Sequence, residues 1–148
     1  MKDRSAIRNL LLRSRLEAEQ HMENIRSADP LTYETLHEEL YRFVLIKYLL
    51  SDEDRPDNDS FSDLAELSLS KSMKVSPALV EEFDAAASCD GATSVMAKKV
   101  LLFMAIQREL NIELPAAESA RIKTMHDLSR MVWNTLKTSP ENAGRLAE

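Results

Sequence analysis

The chain has 148 residues, of which 44% are apolar, and a formal net charge of -6. This length supports one hydrophobic core, and the acidic balance excludes a general binder of nucleic acids or anionic membranes. Only two glycines are present, which disfavours the glycine-rich loops that bind dinucleotides and nucleoside triphosphates. We therefore expect an all-α protein whose partners carry basic or neutral surfaces.

The single cysteine, Cys89, excludes an internal disulfide framework. No apolar run approaches the roughly 20 residues that cross a bilayer. Arginines also interrupt the N-terminal leucines before a signal sequence could form. These features predict a soluble, cytoplasmic protein without membrane insertion.

Residues 1–30 are predicted to form an N-terminal helical extension, which the Asp29-Pro30 pair ends. The first half of this helix is leucine-rich and amphipathic, whereas the second half is almost entirely polar and is expected to be solvated. The extension is a candidate for homodimerisation or for packing across the rest of the chain.

Residues 31–138 are predicted to form the main helical domain. Thr32 or Thr35 caps its first helix, the polar stretch 51–60 forms a loop, and a short apolar segment begins at Phe61.

The middle of the domain contains two further predicted helices. One runs from Pro77 to Ala87, and the strongest runs from Thr93 or Ser94 to Leu110. The latter is apolar almost all round in its middle, so we expect it to be the most buried helix.

The C-terminal part begins with a connector over residues 111–115 and a single turn near residues 118–122. Thr124 and Asp127, three positions apart, form a capping pair for a last helix. Residues 139–148 are polar and are expected to form a flexible tail. Ile112 and Leu114 alternate with polar residues, so the connector is expected to be extended and to turn both apolar side chains inward. No segment is a convincing strand.

Two strings in this C-terminal part carry a family resemblance. Residues 109–115 read ELNIELP, and residues 122–128 read IKTMHDL. In order and spacing they resemble the second half of an acyl carrier protein, in which a central helix ends in such a connector, a short third helix follows, and a threonine and an aspartate open the last helix. The resemblance implies an acyl-carrier-like four-helix bundle with one or two additional helices.

The resemblance also implies a serine that bears 4′-phosphopantetheine. The family places it at the start of the central helix, where free backbone amides tolerate a phosphodiester. Ser94, in the string GATSV, resembles this motif. Ser68, in the string FSDLAELSL, is the alternative attachment site and requires residues 70–95 to be an insertion before the central helix.

Carriage rather than catalysis is the function that this resemblance implies. The protein would hold an acyl or aminoacyl thioester on the arm and present it to partner enzymes of lipid or secondary metabolism. Its partners would be a phosphopantetheinyl transferase and acyl-transferring enzymes with basic surfaces. We do not expect an enzyme, because the sequence contains no convincing set of nucleophile, acid and base.

An unmodified acyl-carrier-like helical domain that acts as a protein-protein interaction module is the alternative. Thr93 stands where the family has an aspartate, and Ser94 lies about two positions further from Pro115 than the family pattern places its serine.

Several other residue types receive a structural interpretation. His21, His37 and His126 share no metal-ligand spacing, so we expect surface histidines and predict no metal site. The methionines of the C-terminal half are expected mainly in the core: Met96, Met104, Met125 and Met131. A set of acidic residues forms either a recognition face or an ordinary solvated surface: Glu81, Glu82, Asp84, Glu109 and Glu113.

Overall fold

The computed structural model describes residues 2–75, 95–142 and 144–147. Over these ranges the chain forms six α-helices and no strands, so the predicted all-α class is confirmed. The helices are α1 (Lys2–Ser27), α2 (Tyr33–Lys47), α3 (Phe61–Val75), α4 (Val95–Leu110), α5 (Ala116–Ser119) and α6 (Met125–Thr138). The helix predicted from Pro77 to Ala87 lies outside the described residues.

The second half of α1 packs against α2, and the first half contributes little to the core. Ala18, Met22 and Ile25 recur at helical spacing and are buried. Leu12 and Leu16 remain 52% and 70% exposed. The expectation that the second half is solvated is therefore wrong, because a narrow apolar stripe is enough to seat a helix whose other faces are charged.

The centre of the core is α2, which packs between α1 and α6. Its N-cap is Thr32, whose hydroxyl oxygen accepts a hydrogen bond from the amide of Thr35 at 3.1 Å. Six of its side chains are buried: Leu36, Leu40, Tyr41, Phe43, Val44 and Leu45. The prediction that the helix ending at Leu110 would be the most buried one is thus wrong.

Helices α3 and α4 pack against each other. The apolar segment at Phe61 was predicted to be short, but α3 continues through its serines to Val75. One face of α4 is exposed at Met96, Val100 and Met104. The methionine prediction therefore holds for Met125 and Met131, which are buried, and fails for the two on α4.

The C-terminal tail is docked over its described residues. A turn of 3₁₀ helix spans Pro140–Asn142, and Leu146 forms an isolated parallel bridge with Leu31. The guanidinium group of Arg145 donates hydrogen bonds to the carbonyls of Ile25 and Ala28, both at 2.8 Å. The expectation of a flexible tail over residues 139–148 is therefore wrong for the described residues 139–142 and 144–147.

None of the helices in the described ranges combines the length and the apolar character that a membrane span requires.

Candidate functional site

Ser94, the first candidate for the attachment site, lies outside the described residues. It directly precedes Val95, the first described residue of α4. Cys89 and three members of the acidic set also lie outside them: Glu81, Glu82 and Asp84.

Ser68, the second candidate, is an inward-facing residue of α3. Its side chain is buried, and its hydroxyl donates a hydrogen bond to the carbonyl of Tyr48 at 2.7 Å. A transferase and a long prosthetic arm need an accessible hydroxyl. This placement therefore disfavours Ser68 as the attachment residue.

The connector after α4 begins with a helix end built without glycine. Asn111 adopts a left-handed conformation, with a φ of 53°, and the amide of Ile112 donates to the carbonyl of Gln107 at 3.1 Å. This is the hydrogen bond of a Schellman motif. The side-chain oxygen of Gln107 also accepts from the amide of Leu114 at 2.7 Å, so a single residue fixes the path of the chain leaving the helix.

Alternation along the connector directs its apolar side chains inward. Ile112 and Leu114 are buried, whereas Glu113 is exposed between them. After α5, Ile122 is buried too, and its carbonyl accepts a hydrogen bond from the ammonium group of Lys99 on α4. The segment after α5 is thereby tied to α4.

A capping box opens α6, as the sequence predicts. The hydroxyl oxygen of Thr124 accepts from the amide of Asp127 at 3.1 Å. In return, the Asp127 carboxylate accepts from the amides of Lys123 and Thr124 at 3.1 and 3.2 Å. The amide of Lys123 is the main cause that lowers the pKa of Asp127, and the amide of Thr124 adds to it.

A short antiparallel pairing brings the loop before α3 against the start of α6. The amide of Met125 donates to the carbonyl of Asp59 at 2.9 Å, and the amide of Phe61 donates to the carbonyl of Lys123 at 3.0 Å. As a result, the Asp59 carboxylate lies beside the ring of His126, with 3.3 Å between Oδ2 and Nε2.

A second histidine completes this group, which we call the histidine cluster: His37, Asp59 and His126. The rings of His37 and His126 are stacked, with centroids 4.2 Å apart and an interplanar angle of 11°. His37 Nδ1 lies 2.7 Å from the hydroxyl of Ser129, and the hydroxyl of Tyr41 donates to Asp59 Oδ1 at 3.0 Å.

Burial is the main influence on the protonation of His37. It lowers the pKa of His37, and the adjacent His126 lowers that pKa further, whereas Asp59 acts in the opposite direction. The neutral form of the His37 imidazole is therefore favoured over the charged form.

The prediction of surface histidines holds for His126, which is exposed, and is wrong for His21 and His37. His37 is half-buried and touches His126, although His126 is itself exposed. His21 is half-buried and contacts Glu39, with 2.6 Å between its Nδ1 and Oε2 of the carboxylate. Sequence spacing missed the cluster because α2, a loop and α6 each contribute one member.

The two described members of the acidic set have different surroundings. Glu109 accepts a hydrogen bond from the guanidinium group of Arg26, at 3.3 Å, which links α1 to α4. Glu113 is exposed on the connector.

Comparison with family models, with curated proteins and with solved structures finds no match to this chain.

Proposed function

We propose that the protein carries an acyl or aminoacyl group as a thioester on a phosphopantetheine arm attached to Ser94. The observation that supports this proposal is the order of elements after residue 95. A central helix, a connector with alternating buried residues, a short helix and a last helix opened by a capping box follow one another. This is the order that the resemblance to acyl carrier proteins implies for the two strings.

Loading requires a phosphopantetheinyl transferase and coenzyme A. The Ser94 oxygen forms a phosphodiester with the phosphate that bears pantetheine, the hydroxyl proton leaves, and adenosine bisphosphate is released. The terminal thiol of the arm then holds the acyl group, and partner enzymes perform the chemistry.

The net charge of -6 over the whole chain suits partner enzymes with basic surfaces. Glu113 on the connector and Glu118 on α5 are exposed, and the exposed Arg108, Arg121 and Lys123 lie along the same stretch of chain. Charge complementarity of this kind speeds the encounter of two proteins and favours partners of opposite sign.

Intact mass measurement tests the proposal. The full chain is incubated with coenzyme A and a transferase of broad specificity, together with three variants: Ser94→Ala, Ser68→Ala and Ser62→Ala. We expect a gain of one phosphopantetheine that only Ser94→Ala abolishes. Ser62 is a matched control because it is an exposed serine in the first turn of α3.

One result would contradict the carrier function itself, and another would contradict only the attachment site. No gain in the native chain, under conditions that load a standard carrier, would exclude carriage. A gain that disappears only in Ser68→Ala would retain carriage and reject Ser94 as the site. Circular dichroism of Ser68→Ala checks that loss of its buried hydrogen bond has not unfolded the chain.

A second candidate function is an unmodified interaction module that pairs with another copy of itself through α1. The observation that favours it is the exposure of Leu12 and Leu16, which lie four residues apart and hence on one face. Solvent-facing leucines at this spacing are typical of helices that pack against a partner helix.

Sedimentation equilibrium of the unloaded chain distinguishes this candidate. A dimer that Leu12→Lys and Leu16→Lys convert to a monomer would support the module, with Arg13→Lys as the control on the same helix. A monomer at all concentrations would reject pairing through α1.

A further inference from the structure

We propose that the histidine cluster binds a divalent transition-metal ion of the zinc type, through the imidazoles of His37 and His126 and the carboxylate of Asp59. The three residues each offer one ligand atom, and these atoms lie within 4.8 Å of one another. The site goes beyond carriage of an acyl group and does not depend on it.

The donor set matches the chemistry of such ions. Two imidazole nitrogens and one carboxylate oxygen suit zinc and its neighbours in the first transition row, whereas calcium and magnesium prefer oxygen ligands. Three protein ligands leave one position for water, the usual arrangement of an open zinc site. The exposed side of His126 gives such an ion access from solvent.

The surrounding hydrogen bonds resemble the support that metal ligands receive from neighbouring residues. His37 Nδ1 contacts the hydroxyl of Ser129, which frees its other nitrogen for a metal. Asp59 Oδ1 accepts from Tyr41, which leaves Oδ2 on the side of His126. Partners of this kind orient ligands and typically matter to affinity by about 10- to 100-fold.

The burial of Ser129 is explained by the same arrangement. Only two polar residues in the described ranges are buried, Ser129 and Ser68. Since Ser68 donates to the backbone carbonyl of Tyr48, directly after α2, its hydroxyl has a structural role. The hydroxyl of Ser129 instead contacts a side chain that can change its protonation state or bind an ion.

Ion binding requires the two rings to leave their stack. Metal–nitrogen bonds of about 2.0–2.1 Å place the ligands of a tetrahedral zinc site roughly 3.3 Å apart, closer than the present limit of 4.8 Å. An imidazole also binds a metal in its own ring plane, and two parallel rings cannot both point at one ion. His126 is the ring that turns, because 55% of its side chain is exposed.

The charges around the histidine cluster permit a cation. The Asp59 carboxylate lies 3.3 Å from the ring of His126 and offers an anionic oxygen to an ion. The nearby Arg55 lies over the ring of Tyr41, with 4.2 Å to the centroid. Its guanidinium group is paired with Glu38 at 2.8 Å and with Asp52 at 2.9 Å, which offsets its repulsion of an ion.

Nuclear magnetic resonance of the imidazole rings gives the most direct test, because the chain has only three histidines. The full chain, without a histidine tag and without coenzyme A, is titrated with zinc chloride. We expect the ring signals of His37 and His126 to shift together and to saturate at one ion per chain. The ring signals of His21 should stay in place.

Calorimetric titrations with zinc chloride, on variants, give the affinities. We expect His126→Ala and Asp59→Asn to weaken zinc binding by at least about 100-fold, and Ser129→Ala by about 10- to 100-fold. Asn suits position 59 because the backbone there has a φ of 55°, a conformation that Asn tolerates. His21→Ala should bind zinc as the native chain does.

Three results would overturn the metal site: no saturable binding, native affinity in His126→Ala, or equal loss in His21→Ala and His126→Ala. Urea unfolding of each variant shows whether a loss of binding comes from loss of the fold. The experiment uses no transferase, so its failure leaves carriage by Ser94 unaffected, and failure of loading leaves the metal site unaffected.

Discussion

Tyr41 and Tyr48 lie on the same stretch of chain and are both buried, but their hydroxyls meet different surroundings. The hydroxyl of Tyr41 donates to Asp59 at 3.0 Å. The hydroxyl of Tyr48 has no hydrogen-bond partner within the described part of the chain. Burial also raises the pKa of Tyr48, which keeps its hydroxyl neutral over the physiological range.

This difference predicts opposite effects of the same substitution. Tyr48→Phe removes a buried hydroxyl that forms no hydrogen bond with the described residues, so we expect the free energy of unfolding to rise by about 1 kcal/mol. Tyr41→Phe leaves a carboxylate oxygen without its donor, and we expect a decrease of about 1 kcal/mol. Urea unfolding followed by circular dichroism measures both. Equal effects of the two substitutions would show that the hydroxyl of Tyr48 has a partner.

The scarcity of glycine means that other residues adopt the left-handed backbone conformation at the ends of two helices. With two glycines in the whole chain, the ends of α2 and α4 place Leu49 and Asn111 at positive φ. Asparagine tolerates this conformation, but leucine pays a steric cost there. The amide of Leu50 nevertheless donates to the carbonyl of Leu45 at 2.7 Å, so α2 ends in the same motif.

At the scale of elements, the leucine-rich first half of α1 is largely exposed, whereas the more polar second half packs into the core. Leucines are concentrated in the first half, but Met22 and Ile25 in the second half are fully buried. A helix packs through the face that meets its neighbours, and that face depends on where α2 lies.

The packing of α1 gives a quantitative prediction. Met22→Ala should lower the free energy of unfolding by about 2–5 kcal/mol, because it leaves a cavity between helices. Leu16→Ala should change it by less than about 0.5 kcal/mol, since this side chain is 70% exposed. Thermal and urea unfolding of both variants are the measurements. A larger effect at Leu16 would mean that the leucine-rich half is buried, for example in a dimer.

The sequence predicts those parts of the structure that depend on neighbouring residues. The capping box of Thr124 and Asp127 and the connector with Ile112 and Leu114 are local patterns, and the structure has them as predicted. The helix break at Asp29-Pro30 is equally local.

Long-range contacts explain most of what the sequence did not predict. The histidine cluster depends on α2 and α6 being neighbours and on a backbone pairing between Asp59 and Met125. No spacing rule contains that information. The only sequence traces are Tyr41 four residues after His37 and Ser129 three residues after His126, which place each pair on one helix face.

At the scale of the whole molecule, the C-terminal tail is anchored at the junction between α1 and α2. The amide of Leu31 donates to the carbonyl of Arg145 at 2.7 Å, and the amide of Ala147 donates to the carbonyl of Leu31 at 2.8 Å. The Arg145 side chain reaches the carbonyl of Ile25 in the last turn of α1 and the carbonyl of Ala28 directly after the helix. The last carbonyls of a helix have no partners within the helix. A cation there also interacts favourably with the helix dipole.

Arg145→Ala should therefore destabilise the junction between α1, α2 and the tail. We expect the free energy of unfolding to fall by about 1.5–3 kcal/mol, because two hydrogen bonds from a charged, half-buried group are lost. Hydrogen exchange should show faster exchange of the Leu31 and Ala147 amides, while the amide of Leu128 on α6 keeps its protection. Arg13→Ala is the matched control, since Arg13 is exposed on the first half of α1. Unchanged exchange at Leu31 in Arg145→Ala would show that the backbone bridge, and not the guanidinium group, holds the tail in place.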